Sequence, residues 1–486
     1  MKKYKKIFSM LLAVSMLPTF GACSEDSGES DGSSSVSGTS VTANDYEWTS
    51  DDVSIETESV RDMLDEERDI TGQEIVWLGS YYMNPTESSP DRSNALAMFE
   101  DEFGASVSDV VVGSTELFDK LSAMILGGEQ VDFFDYQWLA IPNGVYKEQY
   151  QPIDGIIDLE HEIWDDVEGF TEMFEVNGEH YMVPLDIADS SIITYSRSLM
   201  IDEGLEDPYE LFLKGEWTWS KFESMMETFK NNAADGEVRY GINGWIGQAL
   251  MQSAGVAVVE NENGTFVNNI HAPELEQYGL LLQNMASQNL YDPSWKSYFP
   301  EDNLTLFYGM GTWTLKESNN KNPEGDIFIV PMPKYDEADE HYMSVDIHSY
   351  MWVKNSTKGD AVGVFLECER LASIDDDFVD AAKEKAMLPD ANNASGTACG
   401  WTEEQYDFIM SWKDPDVVTP MFDFGFGIST RMATDGDYTF EGKGVMNNLS
   451  SALITFSAVD GYPGTWAELV TMYETVIDEE LATYNN

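Results

Sequence analysis

An α/β protein of two or more lobes is what this sequence predicts, and three observations predict it. The chain has 486 residues, more than one hydrophobic core usually serves. Its apolar content of 42% is ample for sizeable cores. Strand-like and helical segments alternate along it at the spacing of parallel βαβ units.

The first element is an address. Lys2, Lys3, Lys5 and Lys6 precede an apolar run from Ile7 to Phe20, and the small residues Gly21 and Ala22 precede Cys23. A basic start, a short apolar run and small residues at its end make a secretory signal, too short and broken for a comfortable membrane span. Cys23 directly after Gly-Ala resembles the bacterial lipoprotein signal, with Phe20 where Leu is usual. That resemblance implies removal of residues 1–22 and acylation of Cys23, palmitate included, leaving a lipoprotein anchored to the outside of the cell membrane. Residues 24–43 are nearly all Ser, Gly, Asp, Glu and Thr. They cannot bury enough surface to offset their chain entropy, so 23–65 reads as lipidated cysteine and disordered acidic tether.

The body opens with a strand, Glu74 to Leu78, closed by Gly79-Ser80. Leu96, Phe99 and Phe103 fall on one helical face, with Gly104 placed to end the helix. Val107 to Val112 reads as a second strand. Thr115 to Leu126 is a helix with Leu117, Leu121, Met124 and Ile125 on one face and Gly127-Gly128 as its stop. Val131 to Asp135 is the third strand. Parallel sheets bind ligands at the carboxyl ends of their strands, which singles out loops 79–84 and 135–142. Further on, Thr218 can cap a helix carrying Phe222, Met225, Met226 and Phe229 on one face. Ala272 to Asn289 and Trp466 to Tyr484 have helical periodicity, and Met343 to Val353 reads as one strand. No internal repeat is visible.

Charge and motifs exclude several functions. The formal charge is −63, and loss of the four leader lysines takes it to −67. Such a surface repels phosphate backbones, so nucleic acid is excluded as a partner, and membrane attachment must come from something other than charge. Cys368 and Cys399 could form a disulfide, but their spacing does not decide it. Five histidines without zinc-type spacing predict neither a metal site nor a cofactor. An HExxH helix and a P-loop are absent. Among 89 acidic residues chance carboxylate pairs are inevitable, so no pair marks a glycosidase. An enzyme is not expected.

Several ordered blocks resemble the family 1 extracellular solute-binding proteins, the maltose-binding-protein-like partners of sugar-importing ABC transporters. They are Ala95 to Gly104, Leu121 to Gly128 running on to Phe134 (with Val131 where proline is usual), and Tyr181 to Leu185 continuing to Tyr195. Gly215 to Phe222, reading Gly-Glu-Trp-Thr-Trp-Ser-Lys-Phe, is the most specific. Phe307 to Trp313, Ile329 to Pro333 and Gly461 to Leu469 complete the set. The resemblance runs from about residue 73 to the end. It implies a periplasmic-binding-protein-like Venus flytrap with the chain crossing between lobes: 71–187 plus 342–395 as lobe one, and 188–341 plus 396–486 as lobe two. It also implies a monomer that captures a carbohydrate, most simply an oligosaccharide, in the cleft and delivers it to ABC permease subunits.

A sugar site needs flat aromatic faces for pyranose C–H surfaces and carboxylates or amides for the hydroxyls. Against the family, Tyr136, Trp138, Trp245, Trp313 and Phe424 fall at stacking positions, each with core packing as its alternative. Trp217 and Trp219 read as structural. Asp186 and Asp189 follow Pro184 at the crossing between lobes, Asp135 ends a strand, His348 lies on the returning strand and Tyr82 lies in the first loop. A hinge cap or solvated turn is the alternative for each. A non-sugar solute remains open. A peptide is one choice; a polyamine would want carboxylates between aromatic walls; an anion would want cations, for which only Arg197 and Lys316 lie near.

Overall fold

The computed structural model describes residues 68–87, 92–294, 296–388, 400–433, 439–456 and 461–485. The expectations for the leader, Cys23, the tether and Cys399 lie outside these residues. Cys368 is buried in the helix Gly359–Ile374, where burial pushes its thiol up.

Three sheets carry the architecture. The first is built from β1 (Glu74–Gly79), β2 (Ser106–Val111), β3 (Phe133–Asp135) and β13 (Tyr350–Trp352), in the order β13-β3-β1-β2. β1 runs parallel to β2 and β3, and only β13 is reversed. β1 reads as a continuous apolar run because every residue after Glu74 is buried, as a parallel strand covered on both faces requires. The helices Asn94–Asp101 and Leu117–Gly127 make the crossovers. Ser93 caps the first through the Leu96 N–H at 3.1 Å, and Gly128, at φ 65°, closes the second. The third strand is shorter than its sequence suggests. Asp132 uses its carboxylate to accept the Val76 N–H at 2.9 Å, taking the place of a ladder bond.

The second sheet comprises β5 (Ile192–Ser196), β6 (Tyr240–Gly244), β9 (Tyr291–Asp292), β10 (Thr305–Met310) and β11 (Ile327–Val330), in the order β11-β5-β10-β6-β9. β6, β9 and β10 are parallel, while β5 opposes both its neighbours. Helices Trp219–Asn231, Pro273–Ser287 and Trp466–Leu481 form where periodicity places them, and Thr218 caps the first. Trp217 and Trp219 are structural as expected. Their indole N–H groups bond Pro331 O at 2.8 Å and Ser253 Oγ at 3.0 Å. A hairpin of β7 (Val259–Glu262) and β8 (Thr265–Asn268) lies apart from this sheet.

Crossing strands form the third sheet: β4 (Asp186–Asp189), β12 (Tyr342–His348) and β14 (Thr419–Met421), in the order β14-β12-β4. The single strand expected over 343–353 is therefore two strands in two sheets. Its break is Ser349, whose buried hydroxyl donates to Val183 O at 2.7 Å while its carbonyl accepts the Tyr136 N–H at 2.9 Å. Strand periodicity alone does not register a break whose cause is a side-chain bond to a distant segment.

An aromatic seam also fastens the segment after β3 to the C-terminal part of the chain. Trp138 packs on Phe426 with centroids 4.5 Å apart, and Phe174 packs on Phe422 and Phe424 at 4.8 and 5.0 Å. No helix among the described residues is long and apolar enough to cross a membrane.

Candidate functional site

The carboxyl ends of the parallel strands converge on the crossing strands. β6 ends at Gly244 and β10 at Met310, and these neighbouring strands are continued by Trp245 and by Gly311-Thr312-Trp313. Trp245 is 65% exposed and Trp313 is 49% exposed, unusual for rings whose burial would be favourable. Trp245 is held by its backbone. The Trp245 N–H donates to Gly309 O at 2.7 Å, and Trp245 O accepts the Ser191 hydroxyl at 2.6 Å.

Strand alternation sorts the polar residues. β12 pairs with β4 so that His348 faces Asp186 and Asp346 faces Ala188, which puts Asp186, Asp346 and His348 on one face. Asp186 is buried and accepts from Lys413 Nζ at 2.7 Å. Burial pushes the Lys413 amine below its ordinary range, against the pull of Asp186. Asp346 is exposed to water on β12 while protein crowds around it. That crowding, with the charge of Asp189 beside it, pushes its carboxyl up to about 7. His348 is half-buried, its Nε2 is 3.1 Å from the Tyr350 hydroxyl, and burial lowers its pKa. Asp189, one step out of phase, turns to the second sheet and accepts the Thr312 N–H and hydroxyl at 3.1 and 3.0 Å.

From the first sheet come Asp135 and Tyr136, at the end of β3. Asp135 is buried, accepts from Gln137 Nε2 at 2.7 Å, and is pushed up to about 7 by burial. Tyr136 is buried with its ring against Phe174, and its hydroxyl has no hydrogen-bond partner among the described residues. Burial and the charge of Asp346 raise its pKa. A buried hydroxyl without a partner carries a desolvation cost that an incoming acceptor or donor could remove.

Of the residues singled out from sequence, Trp245, Trp313, Asp135, Tyr136, Asp186, Asp189 and His348 are thus linked around the crossing strands. Tyr82 stands 61% exposed after β1, while Tyr81 turns inward to within 3.5 Å of the Tyr350 hydroxyl. Two residues go elsewhere. Phe424 is 1% exposed inside the aromatic seam, which leaves it no face for a solute, and Trp138 is half-buried with its ring packed against Phe426. Aromatic residues after a strand serve ligand and core equally well, and sequence does not separate the two.

Asp346, Ser191 and Lys413 were not foreseen. For Asp346 a signal existed: in Val345-Asp346-Ile347-His348 it shares the phase of His348. Lys413 pairs with a partner 227 residues away, and nothing local announces it. Arg197, weighed as an anion ligand, is committed to Glu404 at 2.9 Å and lies over the Phe328 ring at 3.7 Å.

Two cavities lie elsewhere and none of these residues lines them. One of about 320 Å³ is bordered by Gln151, Trp352 and Lys358, and one of about 600 Å³ by Glu216, Thr218 and Lys221. At the strand ends it is the exposed rings and the carboxylates that identify the candidate. Among the described residues no group of three or more His, Cys, Asp and Glu is placed to hold a metal ion.

A sequence model described as a bacterial extracellular solute-binding protein matches residues 84–368. No curated protein sequence matches the chain. Similar solved structures include the galacto-N-biose/lacto-N-biose I-binding protein of an ABC transporter from Bifidobacterium longum, in complex with lacto-N-biose. It is 14% identical with a TM-score of 0.58, covering 86% of this chain and 99% of that one. The cyclic α-maltosyl-1,6-maltose binding protein from Arthrobacter globiformis is 14% identical at TM-score 0.57, covering 85% and 100%. The sugar-binding protein MalE from Xanthomonas citri is 15% identical at TM-score 0.55, covering 85% and 98%. At these identities the likeness shows the fold, the two-lobed binding-protein architecture expected from sequence.

Proposed function

The chain belongs to the bacterial extracellular solute-binding proteins, and from that premise we propose that it captures a carbohydrate, most simply an oligosaccharide, at the strand-end groove and delivers it to the permease of an ABC importer. The observation that carries this reading is the pair of exposed tryptophans, Trp245 and Trp313, beside the carboxylate of Asp346 and the unpartnered hydroxyl of Tyr136. Rings take the apolar faces of a pyranose, and oriented oxygens take its hydroxyls. The sugar complexes named for the similar structures support the same class.

Residues 71–187 plus 342–395 would form one lobe and 188–341 plus 396–486 the other, pivoting on the crossing strands. A solute that touches both lobes favours the closed form by its differential contacts. The protein works as a monomer without turnover, held to the membrane by lipid on Cys23.

A second reading, a cationic solute such as a polyamine, draws on the excess of carboxylates at the groove. The charge of Asp189 raises the Asp346 carboxyl, while Lys413 is committed to Asp186. Calorimetric titration across oligosaccharides, peptides and polyamines decides. Saturable binding of an oligosaccharide supports the first reading, and binding of a polyamine with no response to any sugar overturns it.

A further inference from the structure

Asp189 ends β4 with both carboxylate oxygens engaged by one residue, the Thr312 N–H donating to Oδ2 and the Thr312 hydroxyl to Oδ1. Thr312 opens the tight turn Thr312–Thr314, and Trp313 is its second residue. The first N–H groups of such a turn have no partner within it. Here a carboxylate delivered from a crossing strand fills that role, as an N-cap side chain would.

The ring next to this clamp is tightly seated. A Cβ added to Gly311 would lie 2.7 Å from Cδ1 and 2.8 Å from Nε1 of Trp313, and 3.6 Å from Asp189 Oδ2. The indole therefore rests directly on the Gly311 backbone, with the Asp189 carboxylate against the same glycine. Its outer part stays open to water. A larger residue at 311 would lift the ring, and a turn released from Asp189 would let it swing.

We infer that Asp189 is a positioning residue rather than a ligand contact: from the crossing strand it fixes the 311–313 turn so that Trp313 presents one face to the groove. The inference rests on the reading of Trp313 as a solute platform. An indole already held in its bound orientation loses less freedom when a solute stacks on it, so the clamp acts through preorganisation. Because β4 also pairs with β12, the platform is tied to the strands that join the two sheets.

Fluorine NMR of the fluorotryptophan-labelled chain, with no solute present, tests this. The Trp313 resonance is identified by its loss in Trp313→Ala, and that of buried Trp217 serves as internal reference. In Asp189→Ala and Thr312→Val the Trp313 line should shift or broaden while the Trp217 line stays in place. Asp189→Asn, which keeps one acceptor oxygen, should restore most of the native line. Gly311→Ala should displace the line in the folded chain. A Trp313 line unchanged in both Asp189→Ala and Thr312→Val overturns the inference, and so does a common shift of all tryptophan lines, the mark of a general structural role. Should Asp189→Ala not fold, Thr312→Val, which removes only the hydroxyl bond, carries the test alone. Since no solute is added, the result is independent of whether the groove takes a carbohydrate, which the titrations decide.

Discussion

Replacing Trp313 with alanine is the most direct probe of the groove. An indole can bury up to about 250 Å², so 49% exposure leaves roughly 120 Å² within reach of a solute. A pyranose covers one face, about half of that, and at about 25 cal/mol per Å² the lost contact is worth about 1.5 kcal/mol. Dissociation should therefore weaken by about tenfold. The oligosaccharide that the titrations select supplies the assay, with calorimetry on wild type, Trp313→Ala and Trp313→Phe, the last of which keeps a ring and most of the affinity. Folding is controlled by circular dichroism, and Trp217→Ala, which empties a fully buried site, marks what a core loss looks like. A dissociation constant within twofold of wild type in folded Trp313→Ala refutes the stacking argument and returns the ring to a surface role.

Three further outcomes are expected. Lys413→Met leaves the buried Asp186 carboxylate unpaired and should destabilise the fold by about 3 kcal/mol in urea unfolding; Lys413→Met with Asp186→Asn should recover part of that loss, and an unchanged midpoint in the single variant would show that water replaces the lysine. Thermal stability of the ligand-free chain should fall as pH rises from about 5 to 8. Asp135, Glu367 and Glu369 are held up to about 7 by burial, so between the unfolded carboxylate range and pH 7 the folded state binds more protons and loses stability as they leave. His341, pushed down to about 4 by burial, opposes this only between its folded and unfolded values, where stability rises with pH. A midpoint equal or higher at pH 8 contradicts the sign. Finally, Cys23→Ser should move the exported chain from the membrane to the soluble fraction, and retention on the membrane would refute anchoring through that residue.

The fold was legible because its strands are apolar runs punctuated by glycine. Glu74 to Gly79 and the helix ended at Gly128 form as their patterns dictate, since local preference and burial agree there. Where side chains from distant segments decide, the pattern misleads. Asp132 replaces the start of a strand, and Ser349 divides one strand between two sheets. The same distinction governs the site. Trp245 and Trp313 are nominated by resemblance to the family's stacking positions, yet the same resemblance nominates Trp138 and Phe424 with equal force. What separates the pairs is the Phe422–Phe426 seam, a long-range packing event with no local signature. Asp189 shows the other side of this limit. Sequence places it correctly at the crossing between sheets, but only the Thr312 bonds reveal that its oxygens are already engaged. The polar chemistry left for a solute then falls to its neighbour in charge, Asp346, one strand away, and to the Tyr136 hydroxyl. Specificity should accordingly be more sensitive to Asp346→Asn than to Asp189→Asn, an order that sequence position alone would not suggest.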